Sequence, residues 1–246
     1  MNENLKQKII EEYRDQFELA EELEKFVEEN LVSTINSYNV EFDEIEVFKA
    51  ITLLFGQSVL NHKSCTILIS EGYAASSLSI LRSTIEIILN IDYILISPNA
   101  MKDRASKYLS TPSKNQCAVS TKACNGFNEY LYKIYCELCD FTHSNSKSTY
   151  KNILNNELII NPSDNLTKES ILLTNVTFAY LLKRICKYFD LDFTSMLSES
   201  NLNNLGCLLN YFNKDKVIYD IFKNFGIGNK KIKEIIKGFN QYTSNK

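Results

Sequence analysis

Glycine and proline are scarce, with seven and three in 246 residues. Punctuation that sparse argues against many short strands joined by tight turns, and it leaves long regular segments. Tryptophan is absent and histidine occurs only twice. Two histidines do not supply a His-rich metal centre. No aromatic platform alternates along a strand, as it does in sheet-based RNA binders. The sequence contains neither a Gly-x-x-x-x-Gly-Lys phosphate loop nor a Gly-x-Gly-x-x-Gly run after a strand, which removes the usual glycine-rich nucleotide cradles. Seven cysteines, an odd number, scatter without a framework spacing. With no signal-peptide pattern ahead of them, the expectation is a cytoplasmic protein with reduced thiols.

What is present is ordinary in amount and uneven in placement. Hydrophobic content of 44% and charged content of 23% suit a globular protein with a sizeable core. The net charge of −3 hides an asymmetry. Residues 1–30 hold ten acids against four bases, whereas from Asn213 onward eight lysines face three acids. Such ends can bind different partners, or each other.

The most informative segment is residues 74–97, AASSLSILRSTIEIILNIDYILIS. From Leu78 to Ile96 twelve of nineteen residues are apolar, and they fall on every side of a helical turn. A helix apolar all round is a buried helix. It nonetheless carries Arg82, Glu86 and Asp92, too many ionisable groups for a membrane span. Arg82 and Glu86 stand four apart and can pair, in the order that stabilises an exposed helix less. Charges entering a core need partners and often mark a site.

Around this segment the spacing predicts further helices. An acidic amphipathic helix covers 3–30, and a long helix runs from Asp43 to Glu71, loosened near Asn61 to Ser64. Ser97-Pro98 restarts the chain as a helix that stops near Pro112. Later helices are expected at Phe127–Thr142 and Glu169–Phe189, with a polar stretch between them and short helices after 190. The fold class is therefore all-α, a multi-helix bundle around a central helix at 74–97 that is its most buried element. The organisation read from this is an acidic N-terminal helix over 1–40, a helical core over 43–190, and a C-terminal appendage with a basic tail over 191–246.

The stretch LRSTIEIILNIDYIL, followed by Arg104 and Tyr108 and then by FTHSN, resembles a prokaryotic helical family of unknown function. That family has a Leu-Arg-Ser…Glu helix, an Arg-x-x-x-Tyr helix and a helix ending at a His. The matching positions are Arg82, Glu86, Arg104, Tyr108 and His143. More loosely the pattern is similar to HEPN-type bundles, which include ribonuclease toxins and antiphage effectors. That resemblance implies a metal-independent endoribonuclease or another RNA- or nucleotide-directed effector without a cofactor. A homodimer is expected, and for an effector an antitoxin, sensor or polymerase as a further partner. Where the ribonuclease members carry an arginine shortly before the His, this chain has Cys136, Glu137 and Leu138.

Three constellations carry chemistry, each beside a plainer reading. Arg82, Glu86, Arg104 and His143 could cleave or bind RNA. Histidine would move protons, arginine would hold phosphate, and Asn145 and Lys147 would line the opening. The plainer reading is an ion pair that fixes helix register, with His143 closing a helix end. His62-x-x-Cys65 and Cys136-x-x-Cys139 each put two metal ligands on one helix face. Nothing in the sequence brings the two pairs together, so no metal site is assigned. IFKNFGIGNKKIKEIIK, residues 221–237, is similar to a helix-hairpin-helix. There Lys230, Lys231 and Lys233 would meet a nucleic-acid backbone, or simply form a solvated face. Two functions stay open at this point: an RNA- or nucleotide-directed effector, and a non-catalytic helical module whose basic tail contacts nucleic acid or an acidic partner.

Overall fold

The computed structural model describes residues 3–110, 129–142, 153–154, 157–158 and 164–193. About 90% of that is helix, packed as an all-α bundle. The chain begins with α1 (Glu3–Glu12) and α2 (Arg14–Phe26). A π-helical turn at Val27–Leu31 leads into the short α3 (Val32–Ser37). Two long helices follow, α4 (Ile45–Ser70) and α5 (Ala74–Leu95), then α6 (Met101–Ser110), α7 (Glu129–Thr142) and α8 (Asp164–Tyr188). The only strand pairing among the described residues is two residues deep, Ile153–Leu154 antiparallel to Glu157–Leu158.

The central position of α5 follows from its sequence. With apolar residues on all sides it needs neighbours on all sides, and it packs against α4, α6, α7 and α8. Leu78, Ile88, Leu89 and Ile91 are fully buried. At roughly 2 kcal/mol for each aliphatic side chain removed from water, these contacts dominate the helix's stability. Its burial is exceeded by that of α8, where residues 169–179 are buried without interruption. The expectation that 74–97 is the most buried helix is corrected on this point. Serine, threonine and asparagine in ESILLTNVTFA mask the burial, because a polar residue with a partner costs little inside a core.

Other boundaries differ from the sequence reading in instructive ways. α4 is continuous through Asn61–Ser64, because Asn61 and His62 turn inward, and the exposed Gln57 one turn earlier donates to Asn61 at 3.0 Å. The segment expected as one helix over 3–30 breaks at Tyr13 and then continues to Ser37 through the π turn. Leu19, Leu23, Phe26, Val27 and Leu31 share one hydrophobic cluster with α4, α5 and α8. The N-terminal helices therefore pack directly on the bundle.

The turn from α4 to α5 is built by Gly72, at φ 86. Its N–H donates to the Ile69 carbonyl at 3.0 Å, and the Tyr73 N–H donates to that of Leu68 at 2.7 Å. This pair of bonds is a Schellman closure. The end of α8 repeats it without glycine. Asp190 takes φ 55, its N–H donates to Lys187 at 3.5 Å, and the Leu191 N–H donates to Cys186 at 2.8 Å.

Candidate functional site

Arg82 and Glu86 lie on α5, where α6 and α7 cross it. They are less buried than the surrounding sequence implies, with 21% and 35% of their side-chain surfaces open. Their closest approach is 3.7 Å, an ion pair too long to be a hydrogen bond. The Arg82 guanidinium lies 5.0 Å from the centre of the Tyr135 ring, contributed by α7. Its Nε is buried and has no acceptor among the described residues. Tyr108 of α6 stands near enough to Glu86 to feel its charge. Burial first, and the Glu86 carboxylate second, raise the Tyr108 and Tyr135 phenols above their ordinary pKa. The cluster thus presents a partly open guanidinium with unused donor capacity, a loosely held carboxylate and two tyrosines.

Arg104 is engaged elsewhere. It donates from Nη1 to the Tyr93 carbonyl, and its guanidinium covers the Tyr93 ring at 4.2 Å. Tyr93 stands eleven residues beyond Arg82, about 16 Å along the helix axis. Arg104 therefore satisfies one of the last carbonyls of α5, where positive charge also favours the helix dipole. The structure does not bring it to the Arg82 cluster.

Asp92 is the acid of α5 that is truly enclosed, at 5% exposure. It meets Arg184 of α8 at 3.0 Å and accepts a hydrogen bond from the Tyr180 hydroxyl at 3.3 Å. Arg184 also donates to that hydroxyl at 3.2 Å. This triad ties α5 to α8.

A second buried network was not visible in the sequence. His62, 2% exposed, faces the Glu24 carboxylate of α2 through Nδ1 at 2.9 Å, so Nδ1 carries the proton of that bond. Its Nε2 lies 3.4 Å from Asn175 Oδ1 on α8, and its ring stacks on Phe178 at 4.0 Å. Asn175 in turn donates to the Gln16 carbonyl at 2.8 Å. Three helices meet at one imidazole. The only sequence signal was a histidine inside an apolar helix. Its partners stand 38 and 113 residues away, and Glu24 is one of ten acids in the first thirty residues.

The possible metal pair is also committed otherwise. Cys65 lies 3.3 Å from the Ser77 carbonyl as a weak donor, and burial pushes its thiol up to about 12. Among the described residues no group of three or more His, Cys, Asp or Glu is arranged to hold a metal ion. None of their helices is long and apolar enough to cross a membrane. His143, Asn145, Lys147, Lys230, Lys231 and Lys233 lie outside the described residues, so their expected convergence on Arg82 has no structural description. Comparison with protein-family models, with curated proteins and with solved structures finds no match.

Proposed function

We propose that this chain is an RNA- or nucleotide-directed effector, of the kind found in bacterial toxin or antiphage systems, and that Arg82 is its phosphate-holding residue. The observation that carries this reading is the state of the guanidinium. An arginine kept only for structure spends its donors on nearby acceptors, as Arg184 and Arg104 do here. Arg82 has a buried Nε without an acceptor and a carboxylate only at 3.7 Å. A guanidinium offers a planar fork that fits phosphate, and the Tyr135 ring against which it lies holds that fork in place. Glu86 holds the arginine loosely enough to release it to a stronger anion. In this proposal His143, which follows α7 directly in sequence, supplies the proton transfers that RNA cleavage needs.

A second reading, a non-catalytic helical module, is favoured by the charge of another face. Glu18, Glu21, Glu22 and Glu29, with Lys25, Phe26 and Asn30, line an open groove of roughly 440 Å³ along α2 and the π turn. That surface repels nucleic acid and suits a basic protein segment.

Expression in cells separates the two readings. If the effector reading holds, wild type arrests growth and degrades RNA, while His143→Ala and Arg82→Ala do neither and accumulate as folded protein. Intact RNA in cells making abundant wild-type protein would overturn the ribonuclease form of the proposal and leave the binding module.

A further inference from the structure

The outward face of α4 is the residue set Lys49, Leu53, Gly56, Gln57, Leu60, Ser64 and Ile67, all exposed. Leu53, Leu60 and Ile67 are 62%, 60% and 61% exposed and seven residues apart, the repeat of a coiled-coil seam. From Leu53 to Ile67 the only formal charge is Lys63, which is turned aside to Glu28 at 2.7 Å. Ile45 at the start of α4, Phe42 before it and Tyr73 after it are also exposed. An apolar ridge of this length on one helix marks an interaction surface.

Two features identify what covers it. The ridge is symmetric about Leu60. Leu53 and Ile67 lie seven residues to either side, and Gly56 and Ser64 lie four to either side. An antiparallel copy of the same helix, with Leu60 on the two-fold axis, therefore sets Leu53 against Ile67 and Gly56 against Ser64. A self-complementary patch of this kind is what an isologous dimer requires. The second feature is Gly56. Glycine weakens a helix interior, yet a Cβ at this position would meet nothing within 4 Å. The chain's own packing gives no reason for it. A second helix laid across Gly56 and Ser64 does, since small residues let two backbones approach closely. Leu53, Leu60 and Ile67, each about three-fifths exposed, supply the apolar centre that such an interface needs.

We infer that two copies of this chain associate through antiparallel α4 helices, with Leu60 facing itself across the two-fold axis. The surface belongs to α4 and Arg82 to α5, and the inference does not depend on the proposed function.

Sedimentation equilibrium of the full chain across the micromolar range tests it. Wild type is expected as a dimer, and Leu60→Glu, which places two like charges on the axis, as a monomer with unchanged helical circular dichroism. Leu53→Lys and Ile67→Glu should each weaken the dimer, by about tenfold or more as like and unpaired charges do at such positions. The double variant should recover most of the loss, because only the antiparallel register pairs the two new charges. Gly56→Gln should weaken association without unfolding the chain. A monomeric wild type, a dimer indifferent to Leu60→Glu, or a double variant no better than either single one would overturn the inference.

Discussion

At the scale of single residues, charge and partner decide what each ionisable side chain does. Asp92 and Glu86 occupy the same helix six residues apart, yet their roles diverge with burial. Asp92 is enclosed and holds Arg184 and Tyr180, so Asp92→Ala removes a carboxylate that lies 3.0 Å from a largely buried guanidinium. The expected loss is about 3 kcal/mol. Glu86 is one-third open and 3.7 Å from its partner, and Glu86→Ala should change stability by no more than about 0.5 kcal/mol. Urea unfolding of the two variants beside wild type measures both, and equal losses would contradict the assignment. His62→Ala should behave like the buried class. It empties the space against Phe178 and strips Glu24 and Asn175 of a partner, for a loss of about 2–3 kcal/mol. Sequence alone pointed to the Arg82–Glu86 pair as the enclosed one. The i, i+4 spacing made that pair easy to see. The partners of Asp92 stand about 90 residues later on α8, and those of His62 stand 38 residues earlier on α2 and 113 later on α8, distances that no local pattern spans.

At the scale of elements, helix identity was readable and helix ends were readable only where backbone chemistry marks them. Gly72 separates α4 from α5 at a left-handed position that only glycine fills without strain. Gly72→Ala should cost about 1 kcal/mol. The equivalent position after α8 is Asp190, also left-handed, and Asp190→Gly should raise stability by roughly 0.5 kcal/mol, read as a shift in the urea midpoint. No glycine or proline marks the break at Tyr13 or the π turn at Val27–Leu31, and both escaped the sequence reading. The false break at Asn61–Ser64 has the opposite cause. Four polar residues in a row read as a loop, whereas Asn61 and His62 are buried, and His62 is satisfied by Glu24 across the helix packing. Periodicity measures apolar spacing and cannot register a polar group satisfied inside.

At the scale of the whole molecule, the all-α class and the central place of α5 follow from scarce glycine and proline and from one helix apolar on every side. The same dense interior sets the response to alkali. Burial pushes the Cys65 and Cys186 thiols from 9.0 up to about 12, and the Tyr188 phenol from 10.0 to about 12. Each group is held protonated by the fold and ionises more readily in the unfolded chain. Their stabilisation is complete below about pH 9, declines as pH rises through that value, and is gone near 12. Thermal unfolding followed from pH 8 to 11 should show a falling midpoint, and a flat profile would contradict the burial of these groups.

The proposed capture of phosphate by Arg82 is open to test by equilibrium binding. Fluorescence anisotropy with a short labelled single-stranded RNA, competed by ATP, reads that group without requiring turnover. Wild type should bind with an affinity that falls as salt rises, because phosphate contacts release counterions. Arg82→Ala should lose about tenfold or more, with Arg82→Lys between them and Glu86→Ala near wild type. Wild-type binding to neither RNA nor ATP, or equal binding by wild type and Arg82→Ala, would rule out Arg82 as the phosphate-holding group.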